Sequence, residues 1–208
     1  MADTYENFKQ LSAVEKEDID YKIYTEDAKS RIAVVAPHGG GIEPGTSEIA
    51  RSISNGKYNC YCFEGVKSSR NKELLHITST SFDEPNCIKV CQSAETVLTI
   101  HGVESDGDII FVGGLNKELK SVMIEKLLKE GFNVKLDTTW HSGQDIENLC
   151  NMGTMQKGLQ LEISSGLRKR MFKGLNRKDR KFITETYDKL IESVRFVLDE
   201  FERGKLSG

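Results

Sequence analysis

Proline is nearly absent, with three residues in a chain of 208. There is also no long Pro/Gly/Ser tract, internal repeat or low-complexity segment, so nothing marks a linker. The expectation is one domain over residues 1–208, with residues 1–20 packed as a polar surface arm or short helix. No run of 18 apolar residues occurs, which excludes a spanning helix. The opening MADTYENFKQ has neither a basic start nor an apolar stretch. No signal peptide is expected, and the protein is expected to be made in the cytoplasm, with release by cell lysis open to it. Positive charge is not in excess: the formal net charge is −3, which argues against a general nucleic-acid binder. Paired CxxC motifs are missing too. The cysteines fall as Cys60 and Cys62, Cys87 and Cys91, and Cys150. These spacings do not match the usual zinc or redox pairs, so reduced, buried thiols are expected.

What is present is enough to fold. Hydrophobic residues make up 38% and charged residues 29%, a balance that excludes disorder as the default. Short apolar runs alternate with amphipathic ones. Strands are expected at 31–36, 58–64, 96–101, 108–113, 132–137 and 158–164. Helices are expected at 46–55, at 85–94 behind Pro85, at 116–130 and at 177–203. In 116–130, Leu119, Val122, Met123 and Leu127 share one face; in 177–203 the apolar face starts with Phe182. Strands alternating with helices mean an α/β fold with a parallel or mixed sheet covered on both faces. Chemistry in such folds gathers where loops leave the strand ends.

One such end is VVAPHGGGIEPGTSEIA, residues 34–50. Its HGGG can serve three chemistries. An esterase oxyanion loop needs a GxSxG elbow, and GTSEI lacks the second glycine. A phosphate loop needs GxxxxGK[ST] or GxGxxG, and neither is here. A metal site needs His and carboxylate ligands from several strand ends with one position left open. His38 and Glu43 lie on this loop, and His101 ends the strand TVLTIH before Gly102. A hydrolytic metal also needs a general base, and Glu162 in GLQLEIS is the candidate. A buried salt bridge from Glu162 to Arg168 or Arg170 is an equally simple reading of that carboxylate.

At this point the chain resembles a known family. APHGGGIEPGTSEIA, FEGVKSSRNKELLHITSTSFDEP, TIHGVESD, ENLCNMG and LQLEISSGLRKRMF look like the poly-γ-glutamate hydrolases of bacilli and their phages, over nearly the whole chain. The resemblance implies a zinc-carboxypeptidase-like α/β fold, a mixed, twisted, eight-stranded sheet between helices. It implies cleavage of γ-glutamyl amide bonds to short oligomers, with one Zn²⁺ ion on His38, Glu43 and His101. Metal-bound water is then the nucleophile and Glu162 the general base. The anionic polymer is the expected partner, with no nucleic acid or membrane, and the protein is expected to act as a monomer. A zinc amidase acting on another acidic amide, such as peptidoglycan or an N-acyl amino acid, and a non-catalytic capsule-polymer-binding module are the alternatives.

A polyanionic substrate calls for fixed cations. Lys67, Arg70 and Lys72 form one cluster; Arg168, Lys169, Arg170 and Lys173 form another, with Arg168 the candidate partner of an oxyanion. Arg70 stands where the family pattern has glycine. His141, Asn148 and Asn151, around Trp140, are candidate cleft residues. His76 reads as a structural histidine.

Overall fold

Residues 3–138 and 142–206 are described by a computed structural model. The run RIAVVA opens a longer strand, β2 (Ile32–Gly40), buried along its whole length. That is what a central strand covered on both faces requires. Its neighbours are β3 (Asn59–Gly65) and β4 (Thr96–Val103), both parallel to it, and β7 (Leu159–Ser164) lies parallel beyond β4. β1 (Tyr21–Glu26) closes one side antiparallel to β3. β5 (Ile110–Gly113) is antiparallel to β7, and β6 (Val134–Leu136) pairs with β5. The order is β1-β3-β2-β4-β7-β5-β6. The described residues thus hold seven strands where the resemblance implied eight. At the β6 edge Lys135 and Leu136 are exposed.

Alternation along the strands builds two cores. Ile32, Val34, Ala36, Cys60 and Cys62 face α2 (Thr46–Ser54), α5 (Lys117–Lys129), α6 (Ser165–Met171) and α7 (Glu185–Glu202). Ala33, Val35, Tyr61 and Phe63 face α1 (Phe8–Val14), α3 (Asn71–Leu75) and α4 (Pro85–Gln92). All five cysteines are free and buried. Caps define several of the helix starts. The Glu84 carboxylate accepts from Asn86 and Cys87 N–H, and Asn116 accepts from Leu119 N–H, which satisfies donors that the first turn leaves open. The helix expected over 177–203 is shorter. A 3₁₀ turn (Asp179–Lys181) comes first and α7 begins only at Glu185, so Phe182 lies outside it and is 58% exposed. No helix among the described residues is long and apolar enough to cross a membrane.

From β2 the chain runs through α2 to β3 on one side, while β4 lies on the other. This is a topological switch point, and the carboxyl ends of β2 and β4 open a crevice there.

Candidate active site

Simple alternation would aim His38 wrongly. Leu98 and Ile100 of β4 point to the α2/α7 core, so His101 points to the opposite face; Ala36 of β2 points to the α2/α7 core, and so would His38. A register shift between Ala36 and Gly39 turns the end of β2 and brings His38 to the His101 face. Gly40 completes that turn at φ +67°. A Cβ there would meet the Gly65 carbonyl oxygen at 2.4 Å. The glycines of HGGG therefore serve close packing on β3 and α2, and only Gly41 of the three lines the cavity. Glu43 follows on the loop, its N–H donating to the His38 carbonyl (2.8 Å).

The three residues are buried and converge. His38 Nδ1 lies 3.1 Å from His101 Nδ1 and 3.3 Å from Glu43 Oε1, and His101 Nδ1 lies 3.8 Å from Glu43 Oε2. Four ligands at zinc–ligand bond lengths stand about 3.4 Å apart. The surrounding bonds fix the lone pairs. His38 Nε2 sits 2.8 Å from the Ile77 carbonyl oxygen, which only accepts, so Nε2 carries the proton and a neutral His38 turns the Nδ1 lone pair inward. Ser79 Oγ is 3.3 Å from His101 Nε2 and can accept its proton, and Glu43 Oε2 accepts from Gly102 N–H at 2.8 Å. Acceptor atoms packed this closely repel one another unless a cation or a proton sits among them, so the donor set fits a metal ion. Burial pushes Glu43 up, but His38, then His101 and His76, outweigh it and hold the carboxyl at about 2. Burial pushes His38 down, and the Glu43 carboxylate reverses that to a net rise.

Glu162 stands opposite His101 in the β4/β7 register, so both side chains leave the sheet on one face. Gln160 Nε2 donates to Glu162 Oε1 at 3.2 Å. Burial, then the charges of Glu43 and Asp137, push the Glu162 carboxyl well above its ordinary value. Both Glu162 and the histidines line a cavity of about 1080 Å³.

The other expected site residues divide. Arg70 and Lys72 line the cavity; Arg70 is bound to Glu73 through both nitrogens of its fork, and Lys72 lies 4.0 Å from Glu104. Arg70 adopts φ +59°, so the backbone keeps the left-handed geometry that glycine favours although the residue is not glycine. Lys67 instead binds Glu15 and Asp20. Arg168 is fully buried and gives its guanidinium to backbone carbonyls: Pro44 at 2.7 Å, Ile163 at 3.0 Å and Val103 at 3.5 Å. It ties the Glu43 loop to β4 and β7 and does not line the cavity. Lys169 and Arg170 pair with Asp106 and Asp108, so the second basic cluster does not form a groove. Asn148 lines the cavity. Asn151 holds the 143–145 loop instead, donating to the Gly143 and Asp145 carbonyls. His141 lies outside the described residues.

Sequence reasoning read His76 as a structural histidine and did not reach Asp3. His76 stacks on His38 with ring centroids 4.0 Å apart, and its Nε2 lies 3.9 Å from Glu43 Oε1. His38, Glu43 and His76 together offer ligand atoms within 4.8 Å of one another. Burial, then the neighbouring His38, lowers His76 to about 4. No local sequence signal links Asp3 to His76, 73 positions away.

Comparison with known proteins gives the family of the chain. The chain is 40% identical over 172 residues to the UPF0714 protein YndL of Bacillus subtilis (strain 168), covering 82% of this chain and 67% of YndL. A solved bacteriophage poly-gamma-glutamate hydrolase superposes with a TM-score of 0.92 at 30% identity, covering 96% of this chain and 98% of the phage chain. A zinc-free apo structure of YndL superposes with a TM-score of 0.91 at 36% identity, covering 96% and 99%. The sequence profile of the poly-gamma-glutamate hydrolases matches residues 5–193, and the chain belongs to that family.

Proposed function

We propose that the chain is a zinc-dependent amidohydrolase that cuts γ-glutamyl amide bonds of poly-γ-glutamate to short oligomers. The observation that carries this reading is the convergence of His38 Nδ1, His101 Nδ1 and the Glu43 carboxylate beside Glu162 in one cavity. That YndL has been described in a zinc-free form supports zinc as the ion.

His38, Glu43 and His101 would hold one Zn²⁺. When bound, zinc supplies Lewis acidity, polarising an amide carbonyl and making water a nucleophile near neutral pH. The Ile77 carbonyl, Ser79 Oγ and Gly102 N–H orient the three ligands from behind. Glu162 takes a proton from the attacking water at its carboxylate and returns it to the leaving nitrogen. Burial pushes the Glu162 carboxyl up, and a dication held beside it would favour the ionised form that acts as a base. Arg70 and Lys72 bind substrate α-carboxylates by exchange from Glu73 and Glu104.

The cavity wall also favours a second reading. Asp3, Glu43, Glu73, Glu104, Asp145 and Glu162 outnumber Arg70 and Lys72 along it, a balance better suited to a short acidic amide than to a long polyanion. One experiment separates the two. Poly-γ-glutamate is incubated with purified protein that has been chelated and then restored with zinc, and its chain-length profile is followed. Loss of long chains that stops on chelation and returns with zinc supports polymer cleavage. Long chains left intact beside hydrolysis of short γ-glutamyl peptides support the second reading.

A further inference from the structure

The wall of the site against His38 is built by a pair the preceding mechanism does not use. Asp3 Oδ1 lies 2.6 Å from His76 Nδ1. Its other oxygen accepts from both Thr78 N–H and Thr78 Oγ1–H, each at 2.7 Å. The carboxylate is thus fixed by three hydrogen bonds. A carboxylate only accepts, so His76 Nδ1 carries the proton and Nε2 keeps its lone pair. That lone pair sits 3.9 Å from Glu43 Oε1, itself an acceptor, on a ring stacked against His38 at an interplanar angle of 30°. This arrangement matches the carboxylate–histidine pairs that orient imidazoles toward metals.

We propose that His76 Nε2 is a further protein ligand of the metal in the substrate-free protein, with Asp3 as the positioning residue that fixes its tautomer. The inference rests on the zinc reading above and deepens it. His38, Glu43, His101 and His76 then supply four donors, enough to close a tetrahedral site. His76 gives way when substrate enters. The N-terminal segment, through Asp3, thereby becomes part of the metal centre.

The test uses the full chain and does not depend on substrate. Zinc affinity is measured by competition with a chromophoric chelator. The visible spectrum of the Co²⁺-substituted protein reports the number and kind of ligands. His76→Ala should weaken zinc by about tenfold or more, and Asp3→Asn should weaken it in the same direction, within the range of about 10–100-fold seen when groups orienting a ligand are lost. Both variants should change the Co²⁺ bands, which a merely structural role would not. Should His76→Ala not fold by circular dichroism, Asp3→Asn carries the test alone. Zinc affinity within about twofold of the unaltered chain and an unchanged Co²⁺ spectrum in the folded variants would overturn the proposal while leaving the three-ligand site intact. Failure of the unaltered chain to bind zinc at all would overturn both readings.

Discussion

Each carboxylate of the site has a different task, and substitution can separate them. Glu162 lies in the His101 register position and is not one of the converging ligands. Glu162→Gln should therefore lower kcat by about 10²–10⁴-fold, the usual worth of a general base, while the purified variant retains stoichiometric zinc. An active Glu162→Gln would place the base elsewhere. Glu43 is held at about 2 by the histidines around it, against an ordinary value of 4.5. A carboxyl lowered on folding adds stability that is fully present above the unfolded value and is lost as pH falls toward the folded one. In chelated protein, the stability gap between the unaltered chain and Glu43→Gln should be fully present between pH 4.5 and 6.5, close as pH falls toward about 2, and shrink again as pH rises through the raised His38 value. A gap that does not change with pH over that window would mean Glu43 is not ionised among the histidines. At this scale the sequence was informative where a residue ended an apolar strand. His38 and His101 announce themselves that way, Glu43 by its place on the loop after His38 and Glu162 as a carboxylate inside an apolar strand, and the structure gathers all four around one cavity. Asp3 and His76 do not, because their pairing is set by an arm that returns across 73 positions. Arg168 misled for a related reason: its neighbours in sequence suggested the cavity, but its side chain turns under Gly102 instead.

Among the elements, the strand ends are held in register by that same arginine. A Cβ on Gly102 would lie 2.7 Å from Arg168 Cζ and 2.9 Å from one of its terminal nitrogens. The guanidinium cannot easily retreat, since it is buried and bonded to Pro44, Ile163 and Val103 carbonyls. Gly102→Ala should cost about 1–3 kcal/mol in urea unfolding, the range of overpacked interiors. Arg168→Met keeps the volume but leaves those carbonyls without their donors, at about 1–3 kcal/mol for a buried acceptor left unpaired. It should also weaken zinc, because Pro44 adjoins Glu43. Stability within experimental error of the unaltered chain for both variants would show that Arg168 is not a clamp. Sequence periodicity located the buried strands well, since their apolar runs are nearly continuous. It passed over β1, whose residues are mostly half-buried or exposed and give little alternation. It overran α7, because Phe182 is apolar yet projects outward before the helix begins. No pattern in the letters could reveal the register shift in β2 that turns His38 onto the right face, for a bulge depends on how the partner strand pairs.

At the scale of the whole molecule, a metal held by the proposed site would be coupled to folding. The proposed ligands come from β2 and the loop after it and from β4, with Glu162 on β7, and in the unfolded chain these residues are scattered from residue 38 to residue 162. An ion that binds only the assembled set stabilises the fold by mass action. At free zinc about 1,000-fold above Kd the gain is about 4 kcal/mol. For a chain of this length, 1 kcal/mol moves Tm by about 2–4 °C, so zinc-loaded protein should melt about 8–16 °C above chelated protein. Tm should climb further with each tenfold rise in zinc. His101→Ala should weaken that dependence while its chelated form melts near the chelated unaltered chain, since the substitution removes a proposed ligand at the crevice and leaves both apolar cores intact. A Tm that ignores zinc in the unaltered chain would sever metal from fold and leave the converging histidines and Glu43 as a protonated hydrogen-bonded cluster. A Tm that follows zinc in His101→Ala as steeply as in the unaltered chain would instead move the third ligand to His76, the other imidazole that His38 and Glu43 bring within reach.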